Sequence, residues 1–162
     1  MTLGGDSTLT GSTITFSDSL NGAYDLAVVG DAVFNLVGND AALESLSVSG
    51  ASMLNNHIST IGNQSYTGAV TLGGDSTLTG NTVTFSNTLN GAHSLEIAGD
   101  AVFNNTVGNN TALTGLTVNG VTTLNTTSIN TGGGAQSYND HMILGSNATL
   151  TGSTITFGNT LN

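Results

Sequence analysis

Three histidines and ten carboxylates are the side chains of this chain best suited to hold a metal or carry a proton, because Lys, Arg and Cys are all absent. His57, His93 and His141 do not recur at one spacing; the positions that align with them across the repeats described below hold Thr127, Tyr24 and Ala69. Transition-metal sites need imidazoles or thiolates at close, defined spacings, so scattered surface histidines and no metal site are expected. The carboxylates are Asp6, Asp18, Asp25, Asp31, Asp40, Glu44, Asp75, Glu96, Asp100 and Asp140. Two carboxylates can cut a glycosidic bond, and solenoid-shaped enzymes do so. No acid here stands in a cluster that departs from the repeat, and no nucleophile–base pair can be named, so no enzyme is expected. Calcium is the cofactor left open, since Asp and Asn oxygens with loop carbonyls are hard ligands. Leu72-Gly73-Gly74-Asp75-Ser76 is only a fragment of a calcium-binding nonapeptide. Solvated turn acids are the simpler reading.

Threonine supplies another candidate chemistry. Thr-x-Thr occurs at Thr8/Thr10, Thr13/Thr15, Thr77/Thr79, Thr82/Thr84, Thr149/Thr151 and Thr154/Thr156. Regular threonine arrays can match ice, but Ala27/Val29 and Ser47/Ser49 interrupt the series. Thr also simply suits strands and cross-strand hydroxyl contacts. Asn-x-Ser/Thr at Asn63, Asn104, Asn109, Asn125 and Asn147 is what chance gives in a chain this rich in these residues.

Composition closes off other functions. The formal net charge is −10 with Lys+Arg 0, which excludes phosphate neutralisation on nucleic acid and attraction to an anionic membrane. Disulfide scaffolds, thiolate sites, Schiff bases and P-loops each lack a required residue. No apolar run is long enough for membrane insertion, and no basic segment precedes an apolar stretch as in a signal peptide.

The elements that position these side chains are repeats. Residues 2–11 recur letter for letter as 71–80, and Gly30-Asp31-Ala32-Val33-Phe34 recurs as Gly99-Asp100-Ala101-Val102-Phe103, both 69 residues on. Gln64-Ser65-Tyr66 recurs 72 residues on as Gln136-Ser137-Tyr138. The chain thus reads as one continuous solenoid, 1–162, with units at about 2–70 and 71–142 and a partial unit at 143–162. A shorter period lies inside: segments opening at Leu26, Leu46 and Tyr66 are 20 residues apart. Leu95 opens the next only after 29, so every third coil is expected to be longer, with the excess in residues 76–85. Leu26, Val28, Ala32 and Phe34 share one parity, the alternation of a half-buried strand, and helical periodicity is absent. Apolar parity flips between Leu9 and Ile14, which predicts a corner or bulge near Gly11. Asn21-Gly22 and Asn90-Gly91 read as tight turns. Equivalent apolar residues in coils of about 20 predict an all-β fold, a parallel β-solenoid (β-helix) in which like stacks on like. Leu26 should lie near Leu46 and Phe34 near Leu54. The inward set should be Leu26, Val28, Phe34, Leu46, Val48, Leu54, Val70, Leu72, Leu95, Ile97, Phe103, Leu116, Val118 and Leu124. About seven coils would make a rod of roughly 35 Å.

The run Gln64-Ser-Tyr-Thr-Gly-Ala-Val-Thr-Leu-Gly-Gly-Asp-Ser-Thr-Leu-Thr-Gly80, with the Gly-Asp-Ala-Val-Phe and Leu116-Thr-Val-Asn-Gly120 pieces, resembles the repeats of filamentous-haemagglutinin-type and autotransporter-like bacterial surface proteins. The resemblance spans the chain and is one of repeat texture. It implies a secreted, elongated shaft or adhesin at the bacterial cell surface and carries no active-site residues. A structural segment or subunit of an extracellular filament is therefore expected. Its partners are other copies, head to tail, or covalent neighbouring repeats. The alternative is an adhesive or ligand-binding solenoid for carbohydrate, a host surface or ice, with Tyr24 and His93, at one variable position, as the candidates. Self-assembly should run through strand stacking at the two ends: Thr8, Thr10, Ile14 and Phe16 at the head, and Thr149, Thr151, Ile155 and Phe157 at the tail.

Overall fold

Strands favoured by Thr, Val and Ile, broken every few residues by Gly and Asn, can bury their apolar parity only by stacking on the next coil. The computed structural model describes all residues, 1–162, and shows this arrangement. Every strand pair is parallel, no helix is present, and about eight turns form a β-solenoid. At ~4.8 Å per turn the rod is about 38 Å long, one turn more than expected.

Each turn has three sides, as in the turn made by Ser45–Val48, Ser52–Leu54 and Ile58–Ser59. On the first face Leu26 pairs with Leu46, Leu46 with Gln64 and Gln64 with Val83. On the second Phe34 pairs with Leu54 and Leu54 with Leu72. On the third Val37 pairs with Ile58, Ile58 with Leu78 and Leu78 with Ile97. Like therefore stacks on like, except where Gln64 enters the first-face column between Leu46 and Val83. All fourteen residues expected to point inward are buried. Tyr66, Phe85 and Phe103 form a continuous ring stack, with centroids 5.5 and 5.4 Å apart.

The long coil is not there. Stacked residues are 17 to 22 positions apart throughout: Leu20 with Val37, Leu46 with Gln64, Leu95 with Leu116, Val107 with Ile129. Ser76–Phe85 is not an insertion within one coil; it turns a corner around Gly80. Its first half lies on the third face, between Ile58 and Ile97, and its second half on the first face, between Tyr66 and Phe103. Taking Tyr66 and Leu95 as equivalent joined two different faces, because alternation looks the same on each. The small length differences between turns are surface loops. Residues 38–42 bulge from one turn, and Asn21 Oδ1 accepts the Asp40 N–H (3.0 Å) and the Ala41 N–H (3.4 Å) of that loop. Asn90 does the same for Asn110 and Thr111. The glycines after these asparagines have φ of +128° and +136°, so Asn21-Gly22 and Asn90-Gly91 are corners with parallel neighbours and not hairpin turns.

The expected corner near Gly11 is present as a register shift between Thr10 and Thr13. Gly50 stands on Gly30 at the corresponding corner of the next turns, where a Cβ on Gly50 would lie 2.5 Å from the Gly30 carbonyl oxygen.

The register gives the sequence repeat a geometric meaning. Thr8 lies on the first face, Thr77 on the third and Thr149 on the second. Each repeat therefore spans three and two-thirds turns and steps back by one face.

Candidate functional site

The eight expected assembly residues fall in the two outermost turns. Thr8 and Thr10 are on the first face, Ile14 and Phe16 on the second, all within Ser7–Leu20, which pairs only with Asp25–Val37. Thr149 and Thr151 are on the second face, within a strand paired only with Ser128–Asn130. Ile155 and Phe157 are on the third, within a strand paired only with Ala135–Tyr138. One edge of each strand thus presents unpaired N–H and C=O groups. Ile143, Leu144, Phe157 and Leu161 are the exposed large apolar side chains of the tail end. Phe16 and Phe157 close the ends of aromatic stacks, on Phe34 at 5.1 Å and on Tyr138 at 5.7 Å.

The acids that repeat have a common geometry. Asp6 accepts the backbone N–H of Asp25 (3.1 Å) and its counterpart Asp75 that of Ser94 (2.9 Å). Asp31 and Asp100 accept those of Ala51 and Val121, both at 2.8 Å. Each of these carboxylates ties a corner to the turn above, using an N–H that the ladder leaves free where the chain bends. The Ser94 backbone N–H, then the Ser94 hydroxyl, and last the His93 ring 3.6 Å away hold Asp75 below the usual carboxylate range. No three acidic or imidazole groups converge on one point. The three histidines lie on separate turns. His93 is half-buried beside Asp75, and His141 lies 3.7 Å from Asp140.

The stepping repeat also disperses threonine. Thr8/Thr10 and Thr82/Thr84 lie on the first face, Thr13/Thr15 and Thr149/Thr151 on the second, Thr77/Thr79 and Thr154/Thr156 on the third. On the first face the outward column from Thr8 continues through Ala27, Ser47 and Ser65 before Thr84. No side of the prism carries the successive Thr-x-Thr rows that an ice-like lattice would require.

Two buried polar clusters were not anticipated. Gln64 Nε2 donates to the carbonyls of Thr79 (2.9 Å) and Ile58 (3.2 Å) and to Thr60 Oγ1 (3.3 Å), while its Oε1 accepts the Tyr66 hydroxyl (2.9 Å). Gln136 repeats the pattern with Thr151, Ile129, Thr131 and Tyr138. Burial pushes both tyrosine hydroxyls far above their ordinary range. The signal in the sequence is the repeated trio Gln-Ser-Tyr, whose Gln and Tyr occupy apolar parity. Thr60 and Thr131 carry no such signal.

On the third face a shallow groove of about 350 Å³ runs along the axis, with Asp75, Thr77, Ser94, Glu96 and Thr117 around a floor at Gly115. His93 stands at its margin; Tyr24, in the equivalent repeat position, lies exposed on another corner. Compared with family models, curated proteins and solved structures, the chain matches none.

Proposed function

We propose that the chain is a structural protein: a segment or subunit of an extracellular β-solenoid filament or adhesin shaft at a bacterial surface, built by stacking of turns. The observation that carries this reading is the unbroken parallel ladder through about eight turns. A ladder of this kind is extended by any strand that offers the same spacing, and its load is shared along the axis by every turn. The repeated acids support the reading, because their oxygens are engaged in holding turns together. The resemblance in repeat texture to secreted bacterial shafts supplies the location. Sedimentation and negative-stain microscopy of the 162-residue protein test it. Filaments of constant width are expected; a concentration-independent monomer would overturn stacking between copies.

A second reading, an adhesive surface for carbohydrate or a host surface, is favoured by the groove that brings Asp75, Glu96 and the serine and threonine hydroxyls together on one face. Binding to a glycan panel that Glu96→Gln abolishes supports it. Equal binding by the variant, or none by the parent, overturns it.

A further inference from the structure

The lateral groove on the third face has a closed counterpart in the same molecule. Two outward rows frame the groove over three turns, with Asp75, Ser94 and Gly115 on one side and Thr77, Glu96 and Thr117 on the other. One sequence unit earlier, on the first face, the same places hold Asp6, Asp25 and Ser45, and Thr8, Ala27 and Ser47. The two sets share one register, yet no cavity lies over the first. There the Ser45 hydroxyl donates to Asp25 Oδ1 at 2.6 Å and closes the row. Gly115 stands in the place of that serine and leaves the row open. Glu96 stands in the place of Ala27 and sets a carboxylate beside the opening. Asn119 Nδ2 donates to Glu96 Oε1 (3.1 Å), which steadies the side chain and leaves Oε2 without a protein donor. Space and charge are thus added at one spot, where the chain departs from its own repeat.

Resting on the second reading above, we infer that this groove binds an amino sugar, as a short run of rings that carry free ammonium groups and lie along the solenoid axis. Carboxylates and hydroxyls line the groove, and no Lys, Arg or aromatic ring does. An ammonium group is the natural partner of the two carboxylates, through charge-assisted hydrogen bonds. Sugar hydroxyls suit Thr77, Ser94 and Thr117, each of which can both donate and accept. A neutral ring finds no aromatic face to cover it. An acidic ring meets a protein of formal charge −10 with no Lys or Arg to offset it.

A basic peptide supplies the charge but not the fit. The backbone N–H and C=O groups under the groove are already paired with adjacent turns, so a peptide main chain has no strand edge to join. Peptide side chains on one side recur at about 6.6 Å, whereas turns recur at ~4.8 Å. The shorter step is close to the advance of one pyranose ring in an extended chain, so successive rings meet successive turns.

Titration calorimetry of the 162-residue protein at low salt tests the inference, with hexamers of glucosamine, N-acetylglucosamine, galacturonic acid and lysine. The glucosamine hexamer is expected to bind on the order of tenfold tighter than the acetylated one, the difference made by one charge-assisted contact. Galacturonate should not bind. Glu96→Gln should lower glucosamine affinity by a similar factor. Gly115→Ser restores the residue of the closed set without changing the charge. Its Cβ would lie 3.7 Å from Ser94 Cβ and 3.8 Å from the Ala135 carbonyl oxygen, which is ordinary contact, so its thermal unfolding should match the parent's. Its loss of binding separates the groove from the general attraction of a cation to an acidic protein. Glucosamine binding that survives either substitution overturns the groove as the site. Equal affinity for the acetylated hexamer, lost in Gly115→Ser, overturns the amino-sugar assignment and leaves the carbohydrate reading standing. A lysine hexamer bound as tightly as the glucosamine hexamer overturns the sugar as the occupant. Failure of every sugar to bind overturns both.

Discussion

The Tyr66 hydroxyl donates to Gln64 Oε1 at 2.9 Å inside the solenoid, and Tyr138 donates to Gln136 at 2.8 Å in a copy of the same pair one face away. Both glutamines have their amide N–H groups engaged as well, so each cluster is a closed polar network in an apolar interior.

Gln64→Leu should destabilise the protein by about 2–4 kcal/mol, because it strands the Tyr66 hydroxyl and removes a buried donor from the Ile58 carbonyl and the Thr60 hydroxyl. Tyr66→Phe, which removes a single donor, should cost about 1 kcal/mol. Urea unfolding of both variants and of the double variant measures the coupling; additive effects would contradict a closed network.

Two buried hydroxyls have no partner, those of Ser52 and Thr122. Both sit at inward positions between apolar neighbours, Ser52 between Ala32 and Val70, Thr122 between Ala101 and Met142. Thr122→Val keeps the shape and removes the desolvated group, so it should raise stability by about 1 kcal/mol. Ser52→Ala should act in the same direction. A lower urea midpoint for Thr122→Val would refute this.

Gly50→Ala should lower stability and broaden thermal unfolding, since the new Cβ would press on the Gly30 backbone, which cannot yield without disturbing the corner. Gly4→Ala and Gly133→Ala, where a Cβ meets nothing within 4 Å, should be nearly neutral. The contrast between the three in one calorimetric series is the test.

Asp75 has a depressed pKa in the folded protein, so the ionised form is the one that stabilises. Its contribution is fully present above the ordinary carboxylate pKa of about 4 and is lost as pH falls through the lower folded value. Asp75→Asn should therefore flatten the stability profile in the acid range and leave it unchanged in shape above pH 5. An identical acid limb in the variant would remove Asp75 from this role.

Phe103→Asp should cost several kcal/mol, because the ring is fully buried against Phe85 at 5.4 Å and an unpaired charge would take its place. Loss of the cooperative unfolding transition is the expected observation.

Strand class, stacking partners and the inward set were legible because alternation and column identity act locally: Leu26 on Leu46 follows from spacing alone. The number of sides was not legible. Leu95 has the sequence neighbourhood of Leu26 but stands on the third face, and only the bend in Ser76–Phe85 reveals it. The role of the repeated acids was also hidden, since Asp31 and Ala51 are twenty residues apart and nothing in either marks the hydrogen bond between them. The polar clusters were half-visible, through glutamine in an apolar column.

A prism whose three sides accept one another's residues changes what duplication can do to such a gene. A copied block need not contain a whole number of turns; it need only contain a whole number of sides, roughly six residues each. The 69-residue block, eleven sides long, is an example, and the 72-residue spacing shows that a loop can absorb the remainder. Lengthening by such steps spreads each inherited side chain around the circumference, so no copy lies directly above its parent. In a chain without a single Lys or Arg, that spacing keeps the duplicated aspartates from forming an uncompensated column of like charge.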